Sequence, residues 1–593
     1  MTRHDETSRR ATKVSKAAPG VFAAAGLIAV VTLAARVFGF GRWLVFSQSV
    51  GATCVGSVYQ AANQLPNVIF EVAAGGALAA VAVPIIAGQL ARDARDEAAQ
   101  TASAMLSWAL AVLAPLSILM AAAARPLSTL LVDSQRCSGS TDLMAAMLVV
   151  FAPQIALYGV GIVLAGVLQA HRRFLAAAAA PLLSSVVVMA TYLLYAAMAQ
   201  GRGNDLTRLP VQATTVLAAG TTLGVVALSL PLLIPVHRAG IRLHLTWTFP
   251  QGVARRARAL AGAGLLALVA QQVAVLVALW VSQHRGGPGT LNVYTYVQAV
   301  YLLPYAVLAV PIATAAFPAL ATGMNQSALA TGMNQSALAT GMNQSALATG
   351  MNQSAPATGM NQSSVERAQQ TLSSSARAIT VATCAGAAVL FAAAPPIGAF
   401  FSALDAGRHS PAGQEALAAL PAALSAFAPG LVGFGLLALF TRALYARGRP
   451  GVAGGVAALG WLIAAAVPLA LLRGDAGPQN TLQSLGLASS LGMTVAAVVL
   501  LVAVHRAWGP HMGRGLVRSA VVAVGSGALS AAVGRAISGN LHPLGLATAA
   551  TVTVMVAIAV VTLYTASIWI GDRDSARLAA AHLRRRARKE MTR

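Results

Sequence analysis

The chain reads as an all-α polytopic membrane protein of about 14 transmembrane helices: two six-helix lobes in parallel repeat, then two extra helices. Three observations predict this. Of the 593 residues, 57% are hydrophobic and only 9% charged, with mean hydropathy +0.70, whereas a soluble domain carries about 25% charged residues. Apolar windows of bilayer-spanning length, about 20 residues, recur fourteen times along the chain. Two short proline motifs also recur at nearly matching offsets. The net charge of +24 would suggest nucleic acid in a soluble protein, but its distribution assigns it to membrane topology, so no nucleic-acid partner is expected.

The windows fall at 21–50, 57–88, 101–124, 143–170, 175–199, 212–236, 259–282, 290–320, 378–401, 416–441, 451–472, 481–504, 515–537 and 543–570. An even number places both termini on one side. With the N-terminus in the cytoplasm, the expected inner segments hold 30 of the 40 Lys and Arg, the outer segments hold 8, and Arg36 and Arg42 lie inside the first window. Cationic loops stay cytoplasmic, and a miscounted helix would scramble the sides beyond it. The basic tails, 1–20 and 571–593, then act as topology determinants drawn to anionic membrane lipids. No cleavable signal peptide is expected, because the first apolar stretch is long enough to remain as a spanning helix.

The N-lobe, 21–236, carries the most expensive charges. An arginine at bilayer depth costs about 2.5–3.5 kcal/mol on insertion scales, so Arg36 and Arg42 should face a watery cavity or an anion. Six residues apart, they are separated by about 9 Å along a helix, a span that can clamp a diphosphate; snorkelling to the interface is the plainer alternative. In the second window, Ser57, Tyr59, Asn63, Gln64 and Asn67 surround Pro66. They either line a polar cavity or satisfy backbone groups freed by the proline. Glu71 is the one carboxylate well inside an apolar window. It is an ion-pair partner for Arg36 or Arg42, a proton or cation coupling site, or an inert interfacial group.

Segment 237–258, with Trp247, Phe249 and five arginines, is expected to be a cytoplasmic amphipathic stretch lying at the interface. The C-lobe, 259–504, contains five near-identical nonamers over 321–365, from ATGMNQSAL to ATGMNQSSV. Their period is too short for a solenoid unit, and their composition is that of a polar linker. Phe151-Ala-Pro in the fourth window returns as Phe427-Ala-Pro in the tenth, and Leu65-Pro66 in the second as Leu303-Pro304 in the eighth. The offsets, 276 and 238, differ by nearly the length of four surplus nonamers. Six helices per repeat give two lobes of like orientation, with substrate between them and transport by rocking. Helices at 515–570 complete the chain. Cys54 and Cys137 both fall on the expected outer side and can pair, without the spacing deciding it. The three cysteines match no metal site, and no nucleotide-binding or hydrolytic motif is present, so neither a metal nor another cofactor is expected.

Ala35-Arg-Val-Phe-Gly-Phe-Gly-Arg42, then Ala62-Asn-Gln-Leu-Pro-Asn67, Gly75-Gly-Ala and Val83-Pro84 resemble the MurJ/MviN family, as do Phe151-Ala-Pro…Tyr158-Gly with Gln169-Ala-His-Arg-Arg-Phe174 and Phe317-Pro-Ala-Leu320. The resemblance runs over roughly 21–570 and, with the Ala/Arg/Gly-rich composition, points to an actinobacterial-like branch. It implies a non-enzymatic flippase of the multidrug/oligosaccharidyl-lipid/polysaccharide exporter superfamily. Such a protein moves lipid II across the bacterial plasma membrane by alternating access, for peptidoglycan and cell-wall synthesis. By position, Arg36 and Arg42 would bind the diphosphate, Ser57, Asn63 and Asn67 would line the headgroup path, and the last two helices would hold the lipid tail. Membrane potential or a coupled ion would supply energy, and cell-wall synthesis proteins are candidate partners. The chain departs from many members at Ser57, at Phe70-Glu71 and at Ala299, where they carry an aspartate, an arginine pair and an arginine. An ion-coupled multidrug or polysaccharide-lipid exporter, with Glu71 as coupling carboxylate, and a non-transporting cell-wall scaffold are the alternatives.

Overall fold

A computed structural model describes residues 18–250, 253–320, 362–405, 411–509, 515–541 and 545–571. Most of the nonamer linker, most of both basic tails and the side chain of Arg36 lie outside the described residues. Among those described, all regular structure is helical. The N-lobe comprises α1 (Ala18–Ser49), α2 (54–90), α3 (Arg95–Ala122), α4 (Ser140–Ala170), α5 (Phe174–Ala199) and α6 (Val211–His237). The C-lobe comprises α7 (253–286), α8 (Thr290–Leu320), α9 (Gln362–Ala392), α10 (Leu420–Phe427 with Gly430–Ala446), α11 (Pro450–Leu471) and α12 (Gly477–Trp508). The extra pair is α13 (Leu516–Gly539) and α14 (Leu546–Gly571). Eleven described helices are long and apolar enough to cross a membrane, twelve with the bent α10 pair; α1 and α2 bring the helical segments to fourteen. The protein is therefore a multi-pass membrane protein.

The internal repeat is visible in the packing. In the N-lobe α1 lies on α5, α5 on α6, α4 on α6, α2 on α4 and α3 on α4; in the C-lobe α7 lies on α11, α11 on α12, α10 on α12, α8 on α10 and α9 on α10. The repeated prolines act alike in both lobes. Proline removes a backbone N–H and its ring crowds the preceding turn. Pro66 is followed by a π-helical turn at Glu71–Gly75 and Pro304 by one at Tyr305–Ala309. At the other motif, α4 breaks between Phe151 and Pro153, and α10 bends by 49° between Phe427 and Gly430.

Lipid is as apolar as leucine, so membrane helices associate through close packing rather than through water exclusion. At the α11–α12 contact, Gly460 and Gly492 put backbone directly against backbone, and a Cβ at Gly492 would strike the Gly460 carbonyl. Val554, Met555 and Ile558 of α14 are exposed, as are Val517 and Val521 of α13, giving the extra pair a lipid-facing surface. The pair is fastened to α9 through three carbonyls. Arg535 Nη1 donates to Phe391 O (3.1 Å), Ser538 Oγ to Ala392 O (2.7 Å) and Tyr564 Oη to Val381 O (2.8 Å).

Two features add to the sequence reading. Segment 241–250 carries no helix. It lies extended along α3, where Ser103 Oγ and Ser107 Oγ accept the backbone N–H groups of His244 (3.2 Å) and Thr246 (3.1 Å), and Trp108 packs edge-on against Trp247. Buried serines supply the acceptors that helical carbonyls would otherwise provide. The tenth window, drawn to residue 441, continues as helix to Ala446 and draws Arg442 into the bundle.

Candidate functional site

Because successive helices alternate in direction, one end of the bundle carries the 50–53, 132–139, 287–289 and 472–476 loops, and the opposite end leads to the tails. At the first end Cys54 and Cys137 form a disulfide with Cα atoms 6.1 Å apart. We call it the disulfide end and its opposite the tail end.

The lobes are pinned together at the disulfide end. Ser57 Oγ accepts from Gly289 N (2.9 Å), Ser57 O from Gln283 Nε2 (3.2 Å) and Gly51 O from Asn292 Nδ2 (2.8 Å). Gly56 is required by the close approach: a Cβ there would run into the Gly51 carbonyl and the Asn292 amide. Thr53 caps α2, its Oγ1 accepting from Gly56 N (3.1 Å), as a hydroxyl at the N-cap should. Next to Cys137, Arg136 reaches the other lobe at Asp475 Oδ1 (2.9 Å) and His284 O (3.0 Å). Beneath the seam lies an aromatic plug drawn from both lobes. Phe46 contacts Tyr59, Tyr192 and Tyr296 with ring centroids 5.6, 5.2 and 6.2 Å away, and Tyr296 stacks on Phe401 at 5.0 Å. Tyr59 Oη, Tyr192 Oη and Thr221 Oγ1 are joined by hydrogen bonds of 2.9 and 3.0 Å.

One helical turn from Phe46 toward the tail end stands Arg42, half-buried, its guanidinium 5.7 Å from the Trp43 ring centroid. On α2, Asn63, Asn67 and Glu71 stand four residues apart, so they share one face, and all three are half-buried. Asn67 Nδ2 donates to Asn63 O (3.0 Å), and the Tyr158 ring lies 5.6 Å from that of Phe70. Glu71 opens the π-helical turn; its Oε2 has no hydrogen-bond partner, and among the described residues it forms no ion pair.

The structure therefore places Asn63, Asn67 and Glu71 on one face of α2, and Arg42 on α1 one turn below Phe46. Arg36 stands on α1 six residues toward the tail end. Ser57 is elsewhere: it is buried in the seam with both oxygens engaged by the C-lobe. Its small hydroxyl at a helix start gave no sign of that, because the partner backbone is 232 residues away. The tyrosines were the signal available for the rest of the site, since phenols placed among apolar helices need partners. In the C-lobe, Gln298 Nε2 donates to Tyr294 Oη (2.9 Å), and Gln271 and Gln272 are buried.

The family described as Lipid II flippase MurJ matches residues 46–569. A "Probable lipid II flippase MurJ" of Rhizobium tropici is 26% identical over 298 residues, 50% of this chain and 54% of that protein. The "Lipid II flippase MurJ" of Burkholderia cenocepacia is 29% identical over 163 residues, covering 27% of this chain and 31% of its own. The chain spans about half the length of the first of these curated relatives and less of the second. Among solved structures, an inward-facing multidrug resistance MATE family transporter of the MOP superfamily superposes with TM-score 0.56 at 15% identity, covering 81% of this chain and 97% of the other. The outward-facing conformation of a MATE family transporter gives 0.51 at 14% identity, with 81% and 95% covered. These likenesses establish the fold.

Proposed function

The chain belongs to the MurJ lipid II flippase family, and from that premise we propose that it carries lipid II from the inner to the outer leaflet of a bacterial plasma membrane by alternating access. The observation that carries this reading is the half-buried Arg42 on α1, one helical turn below the aromatic plug, together with the half-buried Asn63–Asn67–Glu71 stripe on α2. A guanidinium is a planar, permanently charged donor array suited to diphosphate. Arg42 and Arg36 hold the diphosphate, Asn63 and Asn67 meet the sugar headgroup, and the lipid-facing α13–α14 pair receives the polyprenyl chain.

Orientation follows from two independent features. Disulfides persist in oxidising compartments, which supports an outside position for the Cys54–Cys137 end, and the concentration of arginines at the other end supports an inside one. Both termini are then cytoplasmic. Toward the tail end, the described contacts between lobes run along α2 and α7, whereas the disulfide end is sealed by the seam and the plug. This arrangement fits a state of the cycle that is closed at the disulfide end. Moving to the outward-open half breaks the Ser57, Gly51 and Arg136 contacts and parts Phe46 from Tyr296.

The test is the amount of lipid II exposed on the outer leaflet of cells whose sole flippase is this protein. Arg42→Ala at equal protein level should reduce exposure at least about tenfold, the equivalent of 1.4 kcal/mol. Unchanged exposure would remove the arginine from the clamp. Glu71, which forms no ion pair among the described residues, favours one second reading, an ion-coupled exporter of the same superfamily in which this carboxylate carries the coupling ion. No exposure even with the wild-type chain would select that reading.

A further inference from the structure

Two adjacent prolines, Pro395 and Pro396, follow the break in α9, which ends at Ala392 and resumes as Ala394–Asp405. The helical register is kept across the break: Ala393 N donates to Val389 O (2.8 Å) and Ile397 N to Ala393 O (3.0 Å). In that register the N–H groups of residues 395 and 396 would serve the carbonyls of Phe391 and Ala392. Proline has no N–H, so these two carbonyls lose their helical donors. In a membrane such groups must find partners within the protein. They are the two that α13 takes: Arg535 Nη1 donates to Phe391 O (3.1 Å) and Ser538 Oγ to Ala392 O (2.7 Å). The same arginine nitrogen reaches Ser425 Oγ of α10 at 3.4 Å. Gly534 lets the helices meet, since a Cβ there would strike Ala392 and Val560.

The internal repeat contains its own control. In the N-lobe, α3 ends at Ala122 and resumes as Ala124–Leu131, again in register, with Ala123 N on Leu119 O (2.8 Å) and Leu127 N on Ala123 O (3.0 Å). This break is followed by one proline, Pro126, and Arg125 stands where α9 has Pro395. Ile118 and Leu119 beside it are exposed, and Arg125 pairs with Asp142 of its own lobe (3.3 Å). The break with two prolines is the one that α13 covers. Around it Ala388, Ala392 and Ala393 of the C-lobe pack with Val556 and Val560 of α14.

We propose that Arg535 is a positioning residue for transport. With Ser538 it stands in for the two donors that Pro395 and Pro396 remove. This joint fastens the α13–α14 pair to the C-lobe, so that a polyprenyl chain held by the pair moves with that lobe. The role in transport rests on the reading that the pair receives the chain; the joint itself does not. The consequence is selectivity by chain length: a substrate whose chain reaches the α13–α14 pair needs the joint, and one whose chain falls short of it does not.

Spin labels at Val533 of α13 and Ser402 beyond the break, both exposed, report the joint in the full-length protein in lipid nanodiscs. Arg535→Met should broaden their distance distribution severalfold, and Arg535→Lys, which keeps a donor, should retain most of the wild-type width. Pro395→Ala with Pro396→Ala returns helical donors to the two carbonyls and should also broaden it, without touching α13; it is the main variant if Arg535→Met does not fold. In proteoliposomes, Arg535→Met should slow flipping of lipid II with its long polyprenyl chain severalfold. An analogue with a short prenyl chain should keep its wild-type rate, whereas general damage to the fold would slow both alike. Distances unchanged in both Arg535→Met and the proline variant overturn the joint. Equal slowing of the two substrates, or of neither, overturns the positioning role. A wild type that flips neither overturns the flippase reading and the positioning role with it, while the distances still decide the joint, so the two failures are told apart.

Discussion

The two lobes share a packing plan and differ in where they keep charge. Each has an arginine within the bundle and a π-helical turn in its second helix. In the N-lobe Arg42 is half-buried, and the π turn begins with the carboxylate Glu71. In the C-lobe Arg442 is sealed, and the corresponding turn begins with Tyr305. Duplication preserved the helix contacts because they depend on shape and on small residues at close approaches. It did not preserve the charges, because a charge is tolerated only with water, a counter-ion or a ligand beside it. An open arginine is suited to a cargo that comes and goes; a sealed one is suited to a fixed structural role.

The contrast can be broken or sharpened by experiment. The largest effect after loss of Arg42 is expected at the seam between the lobes. Gly56→Val would force a side chain into the Gly51 carbonyl and the Asn292 amide, and overpacking of this kind costs about 1–3 kcal/mol. Spin labels on opposite lobes at the disulfide end should move apart; an unchanged distance would mean that this end is not held shut by the seam.

Glu71→Gln comes next. If the N-lobe charge serves mainly to clamp lipid II, outer-leaflet exposure should stay within about twofold, well under the tenfold that 1.4 kcal/mol represents. A tenfold loss, together with loss of dependence on an ion gradient, would transfer the coupling role to this carboxylate.

Arg136→Ala should act more weakly. Asp475 remains largely exposed, with side-chain exposures of 21% for Arg136 and 72% for Asp475, and such pairs contribute about 0–1 kcal/mol. The population sealed at the disulfide end should therefore fall by less than about fivefold. Exchanging the two charges, Arg136→Asp with Asp475→Arg, should recover part of the loss in the same distance measurement. Removing four of the nonamers in 321–365 should leave lipid II exposure unchanged, and a large defect would give the linker a role that its composition does not suggest.

The helix count, the parallel repeat and the shared face of Asn63, Asn67 and Glu71 were legible in the sequence because their signals are local. Twenty apolar residues span a bilayer wherever they stand, a proline perturbs its own turn, and residues four apart on a helix share a face. Family resemblance added the substrate class, which neither hydropathy nor spacing carries. Other features depended on partners far along the chain. Cys54 meets Cys137 across 83 residues, Ser57 meets Gly289 across 232, and the extended 241–250 segment is satisfied by serines of α3. Arg442 stood one residue beyond a hydropathy window and looked like a loop arginine until the helix was found to continue past it. Sequence alone thus determined which segments enter the membrane and where their backbones bend, since burial in lipid is a property of each segment by itself. Tertiary structure decided which polar groups face a path, a seam or a sealed core, because that depends on what the neighbouring helices leave open around each one.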